Sequence, residues 1–282
     1  MCTIFKNKYT NIGENMKTIT SFKEYKSNKK KEKIIILFAQ IILLISFVFL
    51  WEMLVNFNVL NEFLVSKPSS ILNLFISYMS QNTLLNHIGI SVIETVLGLI
   101  IGTTLGLVFA LILYFFDILY KISEPYLTIL NALPKTALAP IIIIWAGTNM
   151  KGIILVSVSL SLVITIISSY TYFVNTDKDH IKMMKVFKAN KFQILKKVIL
   201  PSNFANILSI IKINIGLSWV GTIIGEFLVS KNGIGYLLMY GGQVFRLDLV
   251  MMGVIILSII AFIMYEIIAI IEKHFRKNKI HK

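Results

Sequence analysis

Six charged side chains fall inside long apolar stretches of the sequence: Glu52, Glu94, Lys135, Lys212, Glu226 and Glu266. An ionisable group in hydrocarbon is costly, so each is a candidate for ion handling, for a hydrogen-bonded site or for snorkelling to an interface. Glu52 and Glu226 lie toward one end of their stretches and Lys212 and Glu266 toward the other, which snorkelling satisfies. Glu94 is the deepest acid, and structural hydrogen bonding is its expected role. A proton relay would need several acids and histidines together, yet His87, His180, His274 and His281 all fall outside the apolar stretches. Catalytic spacings are also missing: the sequence has no GxxxxGK[ST], no HExxH and no GxSxG. The single cysteine, Cys2, allows neither a disulfide nor a CxxC pair, and it directly follows Met1 with no lipoprotein-type apolar stretch. No metal-ligand set is expected. The chain has no ATP-hydrolysing site of the usual kind, so uphill movement of a solute would draw on a partner or an ion gradient.

The elements carrying these residues are set by composition. With 56% hydrophobic and 15% charged residues over 282, and a mean hydropathy of +0.77, a water-soluble globule is excluded. A helix rising 1.5 Å per residue needs about 20 apolar residues to cross a core of about 30 Å. Five blocks of that size run 34–56, 88–116, 152–174, 207–228 and 250–271. A sixth, 126–146, contains Pro134 and Pro140; a proline frees a carbonyl that only neighbouring helices or water can satisfy, which predicts a place interior to the bundle.

Charge placement orients the blocks. The net charge of +14 would suggest nucleic acid if it lined one face of a soluble fold, but here the basic residues separate apolar blocks, and no nucleic-acid partner is expected. Gaps and tails on one side hold twenty-two Lys and Arg against four on the other. The positive-inside bias then predicts six spans with both termini cytoplasmic. A basic tail, 1–33, and a second, 273–282, flank a six-helix domain over 34–272 in a multi-pass protein of the cell membrane. The first tail is a topology anchor, too charged and followed by too long an apolar run for a signal peptide.

Two segments stand out. Gly98, Gly102 and Gly106 recur every four residues, a helix-packing stripe that lets a neighbouring backbone approach. The 175–206 gap reads as two short amphipathic surface helices, with Ile181, Met184 and Phe187 on one stripe, then Phe192, Leu195 and Val198, closed by Pro201. It is either an interfacial lipid-binding element or a docking surface for a cytoplasmic partner.

Several patches together resemble the permease subunit of binding-protein-dependent ABC importers, in the group serving nitrate, taurine, alkanesulfonates and thiamine-precursor pyrimidines. They are Phe63 to Ser69; Leu85 to Ile88 with Ser91 to Gly98; Glu124-Pro125 with Leu133 to Pro140 and Trp145-Ala146-Gly147; and Trp219-Val220-Gly221 with Gly225 to Leu228 and Gly233 to Tyr236. The likeness covers roughly residues 60 to 272. The family's coupling loop has the form EAA…G…I..LP. This chain keeps Ile194, Val198, Leu200 and Pro201 but has Lys182, Met183 and Met184 at the Glu-Ala-Ala positions and Lys188 at the glycine. If that position has positive φ, a lysine costs roughly 1 kcal/mol or more.

The resemblance implies an all-α permease without its own ATPase site, ATP being bound by a partner subunit. Two copies would enclose a path. Two ATPase subunits would dock on residues 177–200, and an extracytoplasmic binding protein would deliver solute for alternating access. Trp145, Ser218, Trp219, Thr222, Glu94 and Glu226 are the candidate path residues. An ion-coupled transporter or channel is the alternative; it would need intramembrane acids converging at mid-bilayer and inverted repeats.

Overall fold

The computed structural model describes residues 22–280, and every element among them is helical. Cys2, His281 and most of the 1–33 tail lie outside the described residues. The chain divides into two units, 1–60 and 61–282.

In the first unit, helix α1 runs Phe22–Asn56, so the lysines of the tail from Lys23 onward continue the apolar span as helix. Its membrane-length part, Lys31–Asn56, is apolar around its whole circumference, with Leu43, Phe47 and Phe49 all exposed. Asn58, with φ +58, ends it: asparagine tolerates the left-handed conformation, and the N–H of Val59 and Leu60 return to the Leu54 carbonyl.

The second unit begins with two short helices, α2 (Glu62–Val65) and α3 (Pro68–Ser80), where Pro68 starts its helix and holds Lys67 extended. Three long helices form its centre: α4 (Thr83–Phe115), α7 (Met150–Val174) and α10 (Leu200–Val229). Gly98, Gly102 and Gly106 of α4 face Ser157, Ser161 and Thr165 of α7, so two stripes of four-residue period meet. Gly221 and Gly225 of α10 approach the same helix at Ser157 and Ile153. Where backbones come this close, small hydroxyls and amides supply cohesion. Asn214 donates to Thr103 Oγ1 at 2.9 Å and to Thr165 Oγ1 at 2.7 Å, and Thr95 donates to Thr222 at 3.1 Å.

Between α4 and α7 lie α5 (Asp117–Ala132) and α6 (Lys135–Ala146), bent by 100° at Leu133-Pro134. Only Pro134 breaks the helix; Pro125 and Pro140 sit inside α5 and α6. The expected interior position is corrected. α5 has no buried residue and α6 buries only Ala139 and Ile143, because the break ends one helix and starts another; the Leu133 N–H closes the last turn of α5 on the Ile129 carbonyl and the Ala137 N–H opens α6 on the Pro134 carbonyl. Helices α11 (Ile234–Gln243) and α12 (Leu247–Ile280) complete the unit, with residues 273–280 continuing α12. Among the described residues five helices are long and apolar enough to cross a membrane, and six spans result if the bent pair counts as one.

Candidate functional site

The 175–206 segment is built from caps. Asp177 starts α8 (Lys178–Val186), accepting from Asp179 N–H at 2.9 Å and bonding His180 Nδ1 at 2.9 Å; these hold its carboxyl below the usual range. Lys188 ends the turn at φ +53, with its N–H on the Lys185 carbonyl and that of Ala189 on Met184. The position that the family pattern gives to glycine is therefore left-handed here, and a lysine occupies it. Asn190 and Gln193 close a reciprocal capping box on α9 (Lys191–Ile194) at 2.8 and 2.9 Å.

The second surface helix expected at 192–198 is corrected. α9 passes through a π-helical turn, Leu195–Ile199, straight into α10, giving one continuous run from Lys191 to Val229. Pro201, which was expected to close the segment, lies in the first turn of α10. There its missing N–H is tolerated, and the Leu200 N–H reaches back to Leu195.

This geometry sorts the candidate coupling residues. Ile194 and Val198 are buried; Ile194 packs with Leu195 and Ile199 against Ala110 and Phe173, so these groups anchor the loop and offer no docking contact. Ile181, Met184 and Leu200 pack on the same cluster, and Pro201 is exposed. Phe187 was expected on the inward stripe, but the helix ends at Val186 and Phe187 turns outward. The outward face comprises Lys182, paired with Asp179 at 3.3 Å, Met183, and Val186 and Phe187 at 80% and 75% exposure. Val186 was missed because a single valine in a lysine-rich stretch breaks no pattern.

At the other end of α10, Glu226 is 1% exposed, so the snorkelling expectation for it is corrected. Its carboxylate accepts from Ser91 Oγ at 2.5 Å and from the N–H of Gly235 at 2.5 Å and of Tyr236, at the N-terminus of α11. The Ile234 N–H donates to Ser91 Oγ at 2.7 Å and that of Gly233 to His87 Nδ1 at 2.9 Å. Gly233 has φ +105, and a Cβ there or at Gly235 would meet the carboxylate. Glu94 is also buried, beside Glu226, and its Oε2 has no hydrogen-bond partner among the described residues. Ser91, Gly233 and Gly235 were visible only as motif residues. Lys212 forms an ion pair with Glu272 and lies over Tyr265, so it too is satisfied within the unit.

The six path candidates therefore separate. Ser218, Trp219 and Thr222 are buried between α4, α7 and α10, the Ser218 carbonyl accepts from Ser157 Oγ at 3.2 Å, and Glu94 and Glu226 are buried as well. Trp145 alone is exposed, at 83%, on a crevice of about 480 Å³ between the bent pair and α7 that Lys135 and Ser159 also line.

The site thus sits on a bundle of membrane-length helices with a capped surface helix at one end. The chain belongs to the family of binding-protein-dependent transport system inner membrane components, whose model matches residues 102–277. It is 25% identical over 235 residues to the aliphatic sulfonates transport permease protein SsuC of Bacillus subtilis, covering 81% of this chain and 83% of that one. It is 23% identical over 182 residues to the taurine transport system permease protein TauC of Escherichia coli, covering 64% and 66%. A chain of the MetNI methionine ABC transporter, solved in inward facing conformations, shares the fold with a TM-score of 0.59 at 14% identity, covering 71% of this chain and 97% of its own. The protein is a multi-pass membrane subunit of an ABC importer.

Proposed function

We propose that two copies of this chain form the path of an importer for a small solute of the sulfonate or taurine type, driven by a separate ATPase that binds the ATP. Both termini face the cytoplasm, and a binding protein delivers solute from the other side. The carrying observation is the outward face of α8. Met183, Val186 and Phe187 stay exposed while Ile181 and Met184 fix the helix to the cluster beneath. An exposed apolar face on a rigidly anchored helix suits a partner groove. Closure of the ATPase pair would push on α8, and the α10 run that begins at Lys191 carries that displacement into the membrane. The relatives' names support the solute class. The match to binding-protein-dependent transport components favours this reading over an ion-coupled one.

The test is co-expression with the ATPase and vanadate-sensitive ATP hydrolysis in proteoliposomes. Val186→Asp with Phe187→Asp should release the ATPase and abolish coupled hydrolysis. Lys182→Glu reports whether the partner presents an acidic surface. Full hydrolysis by the double aspartate variant would overturn the docking assignment.

A further inference from the structure

Lys135 opens α6 at the 100° bend, half-buried, in a crevice otherwise walled by apolar side chains. Leu138, Ile142 and Trp145 form one wall and Leu155, Val158 and Leu162 of α7 the other; Ser159 is the second polar group. The nearest hydrogen-bond partner of the ammonium is neutral, Asn131 Oδ1 at 3.5 Å, and no carboxylate pairs with it among the described residues. Lys212, the other lysine inside an apolar stretch, has the carboxylate of Glu272. A cation among apolar groups without a counter-charge is costly, and an anion arriving there recovers that cost. The volume, about 480 Å³, is that of a site for a small organic molecule.

We propose that this crevice is a binding station for the imported solute, a small organic anion with an apolar body, and that Lys135 reads its charge. The inference rests on the importer reading and adds to it a place and a selecting residue. The aliphatic or aromatic body lies against Trp145, Ile142 and Leu155, and the acidic group takes the ammonium; the Ser159 hydroxyl, which donates to the Val156 carbonyl at 2.7 Å, leaves the lysine as the charge-reading group. The order of contacts explains why a single lysine suffices: the walls supply affinity without discrimination, and the charge supplies discrimination.

The test uses the full chain purified with its ATPase in nanodiscs of neutral lipid, reading Trp145 fluorescence against a Trp145→Phe control. Butanesulfonate is titrated beside uncharged butanesulfonamide, which has the same body. Butanesulfonate should bind the wild type and Lys135→Arg, and Lys135→Met should weaken it by about tenfold or more while leaving the sulfonamide unchanged. Leu162→Trp, which fills the crevice without touching the charge, should block both. Equal butanesulfonate binding by wild type and Lys135→Met would overturn the assignment. So would an anionic phospholipid that co-purifies with wild type, is lost in Lys135→Met and is not displaced by butanesulfonate. ATP hydrolysis by the wild-type complex in the same preparation reads the importer assignment separately: with hydrolysis intact, a negative binding result sinks only the station, whereas its absence sinks both.

Discussion

A buried carboxylate is tolerated at Glu226 because its donors come from two directions, a serine hydroxyl on α4 and consecutive backbone N–H groups at the start of α11. That arrangement ties residues 226, 91 and 233–236 into one object, and glycine is obligatory where the backbone passes the carboxylate at φ +105. Gly233→Ala should therefore lower the thermal midpoint, from backbone strain of about 1–3 kcal/mol plus the clash with Glu226. The opposite sign is expected at Lys188, an exposed lysine at φ +53. Lys188→Gly should stabilise the chain by about 1 kcal/mol and raise the midpoint in the same detergent thermal-shift assay. A lower midpoint for Lys188→Gly would mean that the lysine's own contacts outweigh its strain. Neither residue's environment was legible beforehand. The motif marked Gly233, and the family pattern marked position 188, but whether Glu226 faced lipid, water or protein depended on α11 folding back over it.

At the scale of elements, α4 and α7 are held by matched stripes, glycines on one and Ser157, Ser161 and Thr165 on the other. The glycine half was readable from its four-residue period; the hydroxyl half was not, because serine and threonine at that spacing are common on any membrane helix. Gly102→Leu places a side chain on Ser161, and the helices cannot separate without breaking the Asn214 bonds to Thr103 and Thr165. The expected result is loss of folded protein by size-exclusion chromatography, with Gly89→Leu, at a position open to space, unaffected. Helix positions followed from apolar length, but breaks did not. Pro134 and Pro140 looked equivalent in sequence, yet only Pro134 lies between two helices and fixes the corner; Pro140, the sixth residue of α6, stays inside its helix at the cost of one backbone hydrogen bond. The π-turn was hidden for a related reason: Pro201 lies where α9 and α10 join, and a sequence pattern suggests a stop there, whereas the chain absorbs the missing donor by lengthening one turn.

For the whole molecule, the charge distribution decides how the bent pair α5–α6 must be counted. If it does not cross, five spans remain, and the seven lysines between 175 and 206 lie on the opposite side of the membrane from the nine in residues 1–33. One of those clusters would then be extracytoplasmic, against the positive-inside bias. If the pair counts as one crossing, both clusters and the five basic residues of 272–282 are cytoplasmic together, and the surface helix α8 faces the compartment that holds ATP. Cys2 makes the test simple, since Cys2→Ser leaves a cysteine-free chain. In that background Lys231→Cys should react with a membrane-impermeant maleimide in intact cells, and Lys185→Cys only after permeabilisation. The native Cys2, in a chain without either addition, should behave like Lys185→Cys. Labelling of Cys2 in intact cells while Lys185→Cys stays protected would show that the pair does not cross, and the count would fall to five.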